Sequence, residues 1–127
     1  MSQQDLINLA RENVESYNAG DWQRLKAALA PDVIYDEVGG QRRLQGADQF
    51  AQAYQGWKDA GPDGKGTITN ALASGNTVVI EVTWTGTQTG PLGAIPPSGK
   101  PWSVRGAQVI AIEGDKIKEL RQYFDMM

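Results

Sequence analysis

"GAQVIAIEGDKIKELRQYFD", Gly106 to Asp125, is the stretch on which the fold turns. Two runs rich in β-branched and aromatic residues flank Gly114-Asp115, and a Gly-Asp pair between such runs marks a β-hairpin. Side chains alternate faces along a strand. From Lys116 onward, one face carries Ile117, Glu119, Arg121, Tyr123 and Asp125. The other carries Lys118, Leu120, Gln122, Phe124 and Met126, and it is the more apolar set. A protein with Asp125 inside would do different chemistry from one with Gln122 inside.

Upstream, "TITNALAS" and "TVVIEVTWTGTQ" flank Gly75-Asn76 and form a second hairpin of the same kind. Between the hairpins lies "TGPLGAIPPSGKP", Thr89 to Pro101, a long Gly/Pro loop of the sort that serves as a lid or binding loop. The first half reads helical. Leu6, Leu9, Ala10, Val14 and Tyr17 recur at helical spacing up to Gly20. Asp21 caps a short second helix with Trp22, Leu25 and Leu29 inward, ended by Pro31. "DVIYDEV" alternates as a short strand, with Val33, Tyr35 and Glu37 on one face, and "QRRLQG" pairs back on it after Gly39-Gly40. Asp48 is placed to cap a third helix with Phe50, Tyr54 and Trp57 on one side, before the loop "AGPDGKG". Helices first and an antiparallel meander after imply a single α+β domain over residues 1–127.

Composition narrows the chemistry. The chain has 127 residues, 40% hydrophobic and 21% charged, as expected of a soluble globular domain. A net charge of −3 gives no electrostatic reason to expect nucleic acid or an anionic membrane as partner. No run approaches the roughly 20 apolar residues that span a bilayer, and the N-terminus lacks a signal-peptide pattern, so a cytoplasmic location is expected. With no cysteine and no histidine, thiolate chemistry and imidazole bases are excluded, and neither a metal site nor a cofactor is expected. Acid–base work falls to carboxylates, tyrosines or lysines.

Three stretches carry a resemblance. "NAGDWQRLKAALAPDVIYDEVGG" resembles the opening of the nuclear transport factor 2-like fold, shared by ketosteroid isomerases and limonene epoxide hydrolases. "GTQTGPLGAIPPSGKPW" followed by "GAQVIAIEGDKIKELRQYFD" resembles the SnoaL-like polyketide cyclases. The resemblance implies a cone-shaped fold, with N-terminal helices packed on a strongly curved, mixed but mostly antiparallel sheet that encloses a pocket. It also implies that Gln122 faces that pocket, at the position of the cyclases' catalytic aspartate. Glutamine exchanges hydrogen bonds but moves no proton at neutral pH. Gln108 and Gln88 stand where many relatives have histidine. The epoxide hydrolases' paired arginine and aspartate correspond to Val82 and Trp84, so that hydrolytic chemistry is not expected. The isomerases' oxyanion tyrosine corresponds to Asn13, one helical turn before Tyr17.

The isomerases' general-base aspartate falls on Glu37 when the chains are matched from "NAGD". A carboxylate in an apolar cavity is disfavoured in its charged form, which suits it to accept a proton; the alternative is an edge carboxylate paired with Arg42 or Arg43. Tyr35 would donate to a developing enolate oxygen, and Gln108 and Gln122 would hold a carbonyl unless they satisfy each other. Tyr17, Trp57, Trp84, Val82, Leu120, Phe124 and Ile95 are the candidate ligand contacts. Two functions follow. One is a cyclase or isomerase working by enolate chemistry on a small apolar carbonyl or aromatic compound. The other is a binding protein whose ligand affinity is nearly independent of pH between roughly 5 and 8. The outer sheet face, with Glu81, Thr83, Thr85 and Arg121, is the expected homodimer contact.

Overall fold

Helix α1, Gln3–Ala19, starts where the Ser2 hydroxyl accepts from the Asp5 N–H at 3.1 Å and the Asp5 carboxylate accepts from the Ser2 N–H at 3.0 Å. This reciprocal cap satisfies two amides that a helix start otherwise leaves unpaired. Gly20 ends it at φ 65°, a left-handed conformation that glycine adopts without steric cost. Asp21 then caps α2, Trp22–Ala27, through the Arg24 N–H at 3.0 Å. The computed structural model describes residues 1–91 and 96–124.

A six-stranded mixed sheet follows, with β1 Leu29–Glu37, β2 Arg42–Gln45, β3 Lys65–Ser74, β4 Thr77–Thr87, β5 Pro101–Glu113 and β6 Lys116–Phe124. Its order is β2-β1-β6-β5-β4-β3, and the sheet is not closed. Every neighbouring pair is antiparallel except β1 and β6, which run parallel. That pairing brings the first strand beside the last and sets Glu37 opposite Gln122. Helix α3, Ala47–Ala60, joins α1 over the inner sheet face. The core between the layers includes Val14, Leu25, Tyr35, Phe50, Ile80, Ile110 and Leu120.

Three local expectations change. Pro31 does not end α2: the helix stops at Ala27, and Pro31 lies within β1, where the pairing with β6 shifts register. An irregular stretch tolerates a residue with no N–H to donate. The cap of α3 is Gly46 at φ 103°, and Asp48 sits in the first turn, where its carboxylate pairs with Lys26 at 3.4 Å. The strict alternation along β6 also breaks. Glu119 pairs with Ala111 but Ile117 with Ile112, so Lys118 is an extra residue. This bulge turns Ile117 inward with Leu120 and Gln122, while Lys118 is exposed. Beyond the bulge Arg121 and Tyr123 face outward as alternation requires, and Gln122 faces inward. On the outer face, Glu81 and Thr85 are exposed and Thr83 and Arg121 half-buried. Asp125 lies outside the described residues.

Candidate active site

The open end of the layered fold holds a cavity of about 370 Å³, within the range of small-molecule sites. Tyr17, Tyr35, Glu37, Tyr54, Trp57, Trp84, Trp102, Gln122 and Phe124 form most of its wall. The aromatic rings brace one another edge to face. Tyr17 meets Trp84 at 5.2 Å and 90°, and Tyr35 meets Tyr54 at 5.8 Å and 89°. Such contacts fix ring positions beyond what area burial alone would do. Two strand glycines seat the tryptophans: Gly66 lies opposite Trp84 and Gly86 opposite Trp102. A Cβ on either would come within 2.7 Å of the facing indole ring.

Of the residues singled out from the sequence, Tyr17, Tyr35, Glu37, Trp57, Trp84, Gln122 and Phe124 lie on the wall. Gln108, Val82 and Leu120 are buried in the core and do not line it. Ile95 lies outside the described residues. Gln88 lies at the wall too, but it mainly ties the Gly/Pro loop, accepting from the Ser98 hydroxyl at 3.0 Å and donating to the Pro96 carbonyl at 3.2 Å.

Glu37 is 5% exposed and is paired as well as inside. Its Oε1 accepts from Arg42 Nε at 2.7 Å. Its Oε2 accepts from the Tyr35 hydroxyl at 2.7 Å, Arg42 Nη2 at 3.0 Å and Trp57 Nε1 at 3.1 Å. The two alternatives open in the sequence, pocket carboxylate and ion-paired edge carboxylate, therefore hold together. Cross-strand register explains the choice of Arg42 over Arg43, since Arg42 lies directly opposite Glu37 on β2. The bond to Glu37 raises the guanidinium's pKa, so Arg42 stays charged. Tyr35 has one hydroxyl proton, and Glu37 holds it. Burial, with Tyr54 and Glu37 adding, pushes the Tyr35 pKa well above its ordinary value.

A second cluster runs from the wall into the core. Asn13 Nδ2 donates to the Ala10 carbonyl at 2.6 Å and to Gln108 Oε1 at 2.9 Å. The Tyr54 hydroxyl donates to Asn13 Oδ1 at 2.6 Å and accepts from Gln108 Nε2 at 3.2 Å and Gln122 Nε2 at 3.5 Å. The two glutamines thus do not pair with each other; Tyr54 stands between them. Among the described residues, Gln122 Oε1 and Trp84 Nε1 are buried with no hydrogen-bond partner, and both residues are on the cavity wall.

From the sequence, Asn13 stood out only as the position matching the isomerases' oxyanion tyrosine, and Tyr54 only as a residue on one side of the third helix; neither was a candidate site residue. Asn13 carried a signal, because it interrupts the apolar stripe Leu6, Ala10, Val14 and Tyr17 on the buried side of α1. A polar residue there needs partners that only the fold can supply.

The sequence model of the SnoaL-like polyketide cyclase family matches residues 7–127. The chain belongs to that family. Solved structures agree on the fold. A candidate SnoaL-like polyketide cyclase from Jannaschia sp. CCS1 superposes with a TM-score of 0.88 at 17% identity, over 97% of this chain and 87% of that one. TsrD from Streptomyces laurentii gives 0.87 at 23% identity, over 98% and 91%. An LEH-like epoxide hydrolase from M. tuberculosis gives 0.78 at 20% identity, over 97% and 84%. No curated protein matches the chain significantly. Among the described residues no helix is long and apolar enough to cross a membrane.

Proposed function

We propose that this SnoaL-like protein acts as a cyclase or isomerase on a small, flat, largely apolar carbonyl compound, with Glu37 as the proton acceptor. One observation carries the reading: a carboxylate on β1 lines a cavity rich in aromatic rings, on a family scaffold associated with polyketide cyclisation. The two carboxylate oxygens differ. Oε2 already accepts three donors, whereas Oε1 accepts one and keeps a lone pair. Oε1 is the atom to take a proton from the carbon beside a bound carbonyl. Arg42 gives way cheaply when that happens, because its side chain is 43% exposed and water replaces what it loses.

The enolate oxygen needs a donor that is not already spent. Tyr35 and Trp57 give their protons to Glu37, and the Gln108 amide faces Tyr54 behind the wall. Trp84 Nε1–H is buried and unpaired among the described residues, and it suits this role. Deuterium exchange at the α-carbons of 2-tetralone, followed by NMR, tests the proposal. Wild-type protein is expected to accelerate exchange, and Glu37→Gln to lose on the order of a hundredfold or more.

The donors around Glu37 favour a second reading, a binding protein without catalysis, since Arg42, Tyr35 and Trp57 already hold its carboxylate. Binding of 2-tetralone with exchange no faster than in buffer would select that reading.

A further inference from the structure

We infer that Gln122 presents its carbonyl oxygen to the ligand, so that the compound held in this cavity carries a hydrogen-bond donor, a phenolic or enolic hydroxyl, at that point. This rests on the cavity being the ligand site, as proposed above. The orientation of a side-chain amide follows from the partners that leave no choice. Here the chain of partners begins at a backbone carbonyl, which only accepts. Asn13 must turn its NH₂ to the Ala10 carbonyl, 2.6 Å away. Its Oδ1 then lies 2.6 Å from the Tyr54 hydroxyl, which must donate its single proton there. Having spent that proton, the Tyr54 oxygen can only accept. Both amides that approach it, Gln108 at 3.2 Å and Gln122 at 3.5 Å, must therefore offer NH₂. Gln108 closes its side of the relay, because its Oε1 accepts from Asn13 at 2.9 Å. Gln122 does not. Among the described residues its Oε1 has no partner, and it is buried on a residue that is 2% exposed and lines the cavity.

An acceptor in that condition costs stability unless a ligand donates to it. It also discriminates, because a site with a buried acceptor rejects a compound that offers another acceptor in its place. The sequence led instead to an amide N–H holding a carbonyl; the relay from Ala10 reverses that polarity. Together with the unpaired Trp84 N–H, the wall asks for a hydroxyl at Gln122 and a carbonyl at Trp84. Hydroxy-ketones and enolised diketones on a flat ring meet both.

The test compares 2-naphthol, 2-methoxynaphthalene and naphthalene by tryptophan fluorescence titration at neutral pH. Water favours transfer of the ether into any apolar cavity, so a preference for the naphthol must come from its proton. The wild-type protein is expected to bind 2-naphthol about tenfold or more tighter than the ether, with Gln122→Leu bringing the ratio to one or below. Tyr54→Phe, which frees the amide to turn, is expected to lower the ratio while naphthalene affinity stays within about threefold. If Tyr54→Phe fails to fold, Gln122→Leu decides alone. Equal binding of naphthol and ether by wild type, or a preference that survives Gln122→Leu and disappears in Glu37→Gln, would overturn the inference. Absence of binding by all three compounds would overturn the cavity as ligand site and the inference with it.

Discussion

Toward the inner end of the cavity, Asn13, Tyr54, Gln108 and Gln122 share neutral protons; toward the exposed Gly39–Gly40 turn, Glu37, Arg42, Tyr35 and Trp57 share a charge. The two clusters differ in what water can repair. Asn13 and Gln108 are 0% exposed, so any partner lost there stays lost. Arg42 reaches solvent, so the outer cluster can be rebuilt from outside. The inner cluster is closed to water, and the outer one is open to it. The proposed function, which holds a substrate still while one proton moves, would use both.

Breaking the inner cluster should have the largest effect. Asn13→Ala strips the acceptor from Tyr54 and the donor from Gln108, leaving two buried polar groups unpaired. Each costs about 1–3 kcal/mol, so a loss of about 2–6 kcal/mol is expected in urea unfolding. Arg42→Ala should cost much less, about 1 kcal/mol, since Glu37 keeps the Tyr35 and Trp57 protons and gains water. Equal losses in the two variants would abolish the distinction between the clusters.

The difference also explains how far the sequence could be read. The helices, both hairpins and the inward Val33-Tyr35-Glu37 face follow from periodicity and turn dipeptides, because those signals are local. The family assignment rests on motifs spread over both halves of the chain, and it too was legible. The bulge at Lys118 was not, since a register shift depends on how β6 meets β5 and not on β6 alone. The partners of the glutamines were likewise hidden. Gln108 and Tyr54 are 54 positions apart, and no spacing rule pairs them. The family resemblance put Gln122 in the pocket and Trp84 was a candidate ligand contact, but their free atoms were not legible. A free atom is what remains after every other proton has been assigned.

Alkali tests both clusters at once, because each depends on a neutral phenol. Burial pushes the pKa of Tyr35 and Tyr54 above the ordinary value, and that of Tyr17, beside them on the wall, up to about 12. An unfolded tyrosine ionises near pH 10, so between pH 10 and 12 the unfolded chain has lost protons that the folded chain keeps. Stability is thus fully present below pH 10 and falls as pH rises toward 12. The slope is about 1.4 kcal/mol per pH unit for each such phenol. Tyr17→Phe should flatten the decline by one such increment in urea titrations at pH 10, 11 and 12. An unchanged slope would mean that Tyr17 ionises as freely in the folded protein as in water.

The smallest expected effect is on stability in Gln122→Leu, and it is the most discriminating. Truncating a fully partnered buried glutamine should destabilise by about 1–3 kcal/mol, as the Asn13 variant does for its neighbours. Gln122 is only half partnered. Leucine removes an acceptor that has nothing to accept, and the Tyr54 oxygen still receives the Gln108 amide at 3.2 Å. The change is therefore expected to lie within about 1 kcal/mol of zero, with stabilisation as the favoured sign, while hydroxyl recognition is lost. A loss above about 2 kcal/mol would mean that Oε1 already has a partner, water included, in the free protein. Gln122 would then belong with the self-satisfied inner cluster. Near-neutral stability with lost ligand discrimination would instead mark Gln122 as the point where that cluster opens toward the substrate.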